Sequence, residues 1–219
     1  MIKTYKYLTS KIFRIFNFFF KSVLFESYIS DYEEFLVLKI PYMSKKAISY
    51  IDNLILEKKY ENCFEWGSGG STLWLEEKLS EIISIEESKQ WYSLIKERID
   101  RDKTELVYIN PYQKTENAEL ISSNKKGYQS GNYYRYVKSI ENYNEFDLII
   151  IDGRAREKCL EICLDYLSTN GAIIFDDTYR RRYIKSLKKL NKNKYSLKNI
   201  YGLSTFQFKI SKTTIITRK

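Results

Sequence analysis

At 219 residues the chain is long enough for one domain with a complete hydrophobic core and a modest extension. An apolar share of 43% with 16% aromatics excludes a disordered chain, and 2 Pro with 8 Gly leave no long linker to divide it. The net charge of +9 is uneven: 1–25 carry five bases and no acid, 178–219 carry 13 bases and no acid, and 26–177 stand at −9, so the basic ends either meet phosphate, anionic lipid or nucleic acid or form a solvated Lys-rich face.

In chain order, residues 11–25 are apolar and Phe-rich but broken by Lys11, Arg14 and Lys21. The uninterrupted run falls short of the roughly 20 residues that span a bilayer as a helix, and no small-residue cleavage site follows it. Such a segment either lies in a membrane interface or packs on the domain or on a second subunit. Residues 1–40 therefore read as a basic, aromatic helical extension, and 41–219 as the folded domain. From Pro41 onward, Ile48, Ile51, Leu54 and Ile55 are spaced for one buried helix face.

A short strand at 61–65 runs into the turn Glu65-Trp66-Gly67-Ser68-Gly69-Gly70-Ser71-Thr72, and Leu73, Trp74, Leu75 and Leu79 form the helix after it. A strand at 81–86, a helix through Trp91, Leu94, Ile95 and Ile99, and a strand at 105–109 follow. Residues 111–145 are polar and Tyr-rich, helical only over 134–140; Tyr112, Tyr128, Tyr133, Tyr134 and Tyr136 suit either a lid or ordinary packing. Apolar runs at 146–151 and 172–175 suit a parallel sheet covered on both faces. Between them a helix carries Cys159, Leu160, Ile162, Cys163, Tyr166 and Leu167 and ends at Asn170-Gly171. A basic helix at about 180–191 and strands at 206–210 and 213–217 complete the chain. The order gives an α/β fold: a doubly wound, mostly parallel seven-stranded sheet with an antiparallel C-terminal hairpin and an N-terminal helical extension.

Three cysteines, Cys63, Cys159 and Cys163, with no histidine in the chain, do not make a zinc site and read as small core hydrophobes. Nothing in them asks for an oxidising compartment, so the expected location is cytoplasmic, peripheral to the inner face of the membrane if 1–25 lies in the interface.

Gly67-Ser68-Gly69-Gly70 after a strand and before a helix lets backbone approach a ligand and points amides at it. By itself the turn also fits a nicotinamide dehydrogenase. The third glycine of a dinucleotide fingerprint is Ser71 here, and Glu65 on the strand side opposes a pyrophosphate but can pair with an amino group, directly or through water. Glu86, at the end of the second strand, is placed to accept ribose hydroxyls, with Glu87 as the alternative and a helix-capping acid as the plainer reading.

The stretches 64–72, 81–86 closing on Ile85-Glu86, Phe146-Asp147-Leu148-Ile149-Ile150-Ile151-Asp152-Gly153 and Gly171-Ala172-Ile173-Ile174-Phe175-Asp176-Asp177 resemble, in order, the motifs of class I (Rossmann-like) S-adenosylmethionine-dependent methyltransferases over roughly 41–219. The resemblance implies S-adenosylmethionine held by Glu65, Gly67, Ser68, Gly69, Ser71 and Thr72, ribose on Glu86, and adenine near Asn110 to Tyr112. Asp152, Asp176 and Asp177 end adjacent strands at the carboxyl edge, where three hard oxygens can hold Mg²⁺. That pattern is similar to the metal-dependent O-methyltransferases of catechols and antibiotic sugars, and it implies a metal that activates the acceptor hydroxyl. The proton acceptor that those families place two or three residues after the first metal Asp is replaced here by Arg154 and Ala155. Without histidine the base must be a carboxylate, Lys or Tyr, with Asp152 or Asp177 the candidates if no metal binds.

Arg154, Arg156 and Arg180, followed by Arg181 and Arg182, leave the same strand ends and suit an anionic acceptor, or else serve solubility. The expected function is O-methylation of a small anionic acceptor, such as a sugar, sugar phosphate or polysaccharide precursor. An RNA methyltransferase and a catalytically inactive cofactor-binding partner subunit are the alternatives, and an oligomer is open under every reading.

Overall fold

The computed structural model describes residues 36–113, 119–205 and 210–219. Most of the 1–40 extension, including the interfacial segment expected at 1–25, lies outside them. Among the described residues no helix is long and apolar enough to cross a membrane.

Helix α1 (Lys45–Lys58) starts where the Ser44 hydroxyl accepts from the Ala47 amide at 3.2 Å and stops at Lys59, which is left-handed. Its Ala47, Ile51, Leu54 and Ile55 are buried. The sheet strands are β1 (Asn62–Trp66), β2 (Glu81–Glu86), β3 (Thr104–Tyr108), β4 (Phe146–Ile151), β5 (Leu167–Phe175), β6 (Tyr195–Leu203) and β7 (Ile210–Arg218). Their order is β3-β2-β1-β4-β5-β7-β6, parallel through β5, with β7 antiparallel to both neighbours. The helices α2 (Gly70–Leu75), α3 (Lys89–Lys96), α4 (Tyr134–Lys138), α5 (Arg156–Cys163) and α6 (Arg181–Lys189) connect them.

Alternate residues of the central strands feed opposite cores. Phe64, Trp66, Ile149 and Ile151 face one layer, with Tyr133, Tyr136 and Phe175. Cys63, Leu148 and Ile150 face the other, against α1. This two-sided burial is why the strands read as unbroken apolar runs. All three cysteines are free and buried.

Two expectations are corrected. The α5 helix ends at Cys163, and after a 3₁₀ turn at Leu164–Tyr166 the chain is already in β5 by Leu167, so Asn170-Gly171 lies inside a strand rather than capping a helix. The pairing of β5 with β4 shifts between Phe146 and Leu148, which absorbs these extra residues. The hairpin is also longer and begins earlier: β6 occupies Tyr195–Leu203, a stretch without apolar alternation because it is an edge strand with mostly exposed side chains. Of the strand expected at 206–210, residues 206–209 lie outside the described residues, and Ile210 opens β7.

Candidate active site

Strand order reverses between β1 and β4, so the loops leaving their carboxyl ends part and open a crevice. A cleft of about 980 Å³ lies there, reached by Gly67–Ser71, Glu86–Ser88, Asp152–Arg154 and Asp176–Asp177.

The turn after β1 is held tightly. Gly67 has φ +99°, and a Cβ on it would stand 2.7 Å from the Gly153 backbone, so only glycine lets the β1 and β4 ends touch. Gly67 N–H donates to Ile85 O at 2.9 Å, and Asp152 N–H donates to Trp66 O at 3.0 Å. The Gly69 amide donates to Thr72 Oγ1 at 2.9 Å, which closes the first turn of α2.

Glu65 does not face the cleft. It is fully buried, and its carboxylate accepts from the hydroxyls of Ser71, Thr72 (2.5 Å) and Ser84 (2.7 Å). Burial pushes its pKa up to about 7 despite those three donors. The cofactor contact expected of Glu65 and Thr72 is therefore spent inside the protein, tying β1 to β2 and to the start of α2. Ser71 does line the cleft.

Glu86 does reach the cleft. One oxygen accepts from Ser68 N–H at 3.0 Å and Ser68 Oγ at 2.9 Å, the other from the Glu87 and Ser88 amides at 3.0 and 2.8 Å. Burial, then its neighbour Glu87, raises its pKa to about 8. Glu87, the alternative ribose ligand, is ion-paired with Arg154 at 3.1 Å. Trp91, at the start of α3, donates its indole N–H to Ser68 O and lines the cleft with Leu94. Asn110 and Tyr112 do not, so the cleft runs over α3 rather than past the end of β3.

At the far edge, Asp152, Asp176 and Asp177 converge as expected, but on an internal cation. The buried Arg156 guanidinium lies between them: NH2 is 2.7 Å from Asp152 Oδ1, NH1 is 3.9 Å from Asp177 Oδ2, and the Asp152, Gly153 and Asp176 carbonyls accept its other N–H groups. Asp176 also accepts from Thr213 Oγ1 at 2.6 Å, and Asp177 is held by Arg180. Among the described residues no group of three or more His, Cys, Asp or Glu is arranged to hold a metal ion. The Mg²⁺ expectation gains no support from this geometry: the Asp152 and Asp177 carboxylates face a guanidinium, and the Asp176 carboxylate faces Thr213. The same geometry uses the donors of Arg156, the expected acceptor ligand, on the protein itself.

Burial raises the pKa of Asp152, with Arg156 opposing the shift and Asp177 adding to it. Burial and Asp152 raise Asp176 to about 7. Asp177, within this cluster, has φ +59°, and Ala155, next to Arg156, has φ +49°, left-handed conformations disfavoured for residues with a Cβ.

Arg154 and Arg180 line the cleft as expected. Of the tyrosines, Tyr133 and Tyr136 are core residues, while Tyr128 lines the cleft and receives Arg154 on its ring at 4.5 Å. Trp91 and Lys125, which lines the cleft too, carried no pattern in the sequence that set them apart from other Trp and Lys residues.

No family model matches the sequence, and no curated protein matches it. Solved structures do. The O-methyltransferase from Bacillus cereus in complex with SAH aligns over 91% of this chain and 96% of its own, at 19% identity and TM-score 0.60. The O-methyltransferase TomG from Streptomyces achromogenes, in complex with SAM, aligns over 91% and 94% at 14% identity and TM-score 0.57. An rRNA methylase from Streptococcus thermophilus aligns over 80% and 98% at 13% identity and TM-score 0.53. With the strand order and the C-terminal hairpin, this likeness establishes that the chain has the Rossmann-like fold of the class I methyltransferases.

Proposed function

We propose that this protein transfers the methyl group of S-adenosylmethionine to an oxygen of a small anionic acceptor. The observation that carries the proposal is that one cleft joins the glycine turn and Glu86 at one end to Asp152, Asp177 and three arginines, Arg154, Arg156 and Arg180, at the other. Two neighbours of the same fold were solved with SAH and SAM, which supports this choice of cofactor. Ser68, Gly69, Glu86 and Trp91 are the groups that would hold it, and when bound it supplies an electrophilic methyl for in-line displacement.

The protein's own part is to orient the acceptor and take its proton. Asp152 is placed to take that proton, since it lines the cleft and burial makes its carboxylate more basic than an exposed one. Arg156 fixes that carboxylate, and Arg154 and Arg180 attract the acceptor's negative charge.

The test is calorimetric titration with S-adenosylhomocysteine, followed by mass-spectrometric detection of methyl transfer to phosphorylated and nucleotide-linked sugars. Saturable binding that Gly67→Val abolishes, with transfer that Asp152→Asn slows by about a hundredfold or more, is expected. Absence of binding overturns the proposal, and binding without transfer to any acceptor points to a partner subunit.

One observation favours RNA as a second acceptor class. Arg181, Lys185, Lys188 and Lys189 of α6, with Lys192 and Lys194 just after it, are all exposed. Methyl transfer to RNA, with binding that falls steeply as salt rises, would select that reading.

A further inference from the structure

A second, small cavity of about 40 Å³ adjoins the cleft and shares Lys125, Arg154, Arg156 and Arg180 with its lining. The cleft is lined by the carboxylates of Glu86, Glu87, Asp152, Asp176 and Asp177. The small cavity is lined by Lys125, Arg154, Arg156, Arg180 and Arg182, with Glu157 as its single acid. The carboxylates that pair with Arg154, Arg156 and Arg180 thus stand on the cleft side of those guanidiniums.

Lys125 is exposed and differs from the arginines of this lining, each of which has a carboxylate within 4 Å. None of the ion pairs among the described residues uses it. Its ammonium lies 4.9 Å from the Tyr128 ring, which also receives the Arg154 guanidinium, so one ring serves two cations. Partial burial and then Arg154 lower its pKa, with Glu87 opposing the shift. The loop is held in place from below, since Arg182 NH1 donates to Asn124 O at 3.0 Å and the Lys125 amide donates to Ser123 Oγ at 3.3 Å. An exposed ammonium beside three paired guanidiniums leaves positive charge that an anion entering the cavity would meet.

We infer that this cavity is a phosphate subsite, in which Lys125, Arg154 and Arg180 hold a phosphoryl group of the acceptor. The assignment rests on the methyl-transfer reading above and narrows its acceptor to a phosphorylated one. A phosphoryl group offers several oxygens and up to two negative charges to cations converging from different sides, whereas a carboxylate satisfies one guanidinium fork. The cavity is too small for a sugar ring, so the rest of the acceptor lies in the cleft, toward Asp152 and Asp177.

The test is titration of the full chain with inorganic phosphate at constant ionic strength, with acetate as the competing anion and S-adenosylhomocysteine titrated separately. Saturable phosphate binding that acetate does not match is expected. Lys125→Ala should weaken it about tenfold, the loss of one charge-assisted contact, and Lys125→Arg should restore most of it. Both variants should bind S-adenosylhomocysteine within about twofold of the native chain, because Lys125 touches no part of the glycine turn. Phosphate binding unchanged in Lys125→Ala, or no tighter than acetate, overturns the inference. Lys125-dependent phosphate binding by a chain that fails to bind S-adenosylhomocysteine upholds the subsite and overturns the methyl-transfer reading alone.

Discussion

Arg156 decides the chemistry of the far edge. A guanidinium among three carboxylates, its N–H groups spent on Asp152, Gly153 and Asp176, holds the β4 and β5 ends together as a metal would, without an exchangeable ligand. Removing it leaves those carboxylates buried and uncompensated, which costs ~3–5 kcal/mol when a buried pair is broken from one side. Arg156→Ala should therefore lower the urea midpoint strongly, and Mn²⁺ should raise the midpoint of that variant while leaving the native chain unmoved. Mn²⁺ that stabilises the native chain through Asp152 would show that the carboxylates are free to take a metal after all. The sequence placed Asp152, Asp176 and Asp177 at one edge because strand ends carry that information. It gave no sign that Arg156, four residues on, turns back over them, since a side chain's direction at a helix start is set by packing and not by spacing.

The α2 helix is only six residues long, too short to hold itself, and it depends on what grips its first turn. Ser71, Thr72 and Ser84 all donate to Glu65, so one carboxylate joins β1, β2 and α2. Glu65→Leu strands three buried hydroxyls and should cost several kcal/mol, about 1–3 for each unsatisfied group, with cofactor affinity lost as the turn loosens. Glu65→Gln keeps one acceptor and supplies a donor that hydroxyls can accept, so stability and S-adenosylhomocysteine binding should both largely survive. If Glu65→Gln folds with native stability yet loses binding, the carboxylate contacts the cofactor directly, as the sequence motif had suggested. What was legible among the elements follows the same logic. Strands β1, β2 and β4 announce themselves because both faces are buried, whereas β6 is an exposed edge whose polar run, 195–203, has no apolar rhythm. The early start of β5 was hidden because Cys159 to Leu167 keep a helical spacing past the point where the chain turns into the sheet.

Across the whole molecule these buried carboxylates should make stability fall as pH rises. Glu65 and Asp176 are raised to about 7 and Glu86 to about 8, with Asp152 and Glu76 raised as well, all chiefly by burial. In the unfolded chain such groups titrate at about 4. The folded state therefore holds more protons between those values, so the stability they contribute is complete below the unfolded pKa and is lost as pH rises through 7 to 8. Each such group contributes a slope of at most ~1.4 kcal/mol per pH unit, and the +9 net charge opposes it only where acid adds surface repulsion. Urea midpoints of the ligand-free chain should fall between about pH 5.5 and 8.5, and Glu86→Gln should flatten the upper part of that fall. S-adenosylmethionine carries a sulfonium charge that favours the ionised carboxylates, so on the proposed reading it should flatten the slope more than S-adenosylhomocysteine does. A midpoint that rises with pH over this range would mean that the cluster is already ionised when the chain folds, and that Asp152 is a weaker base than its burial implies.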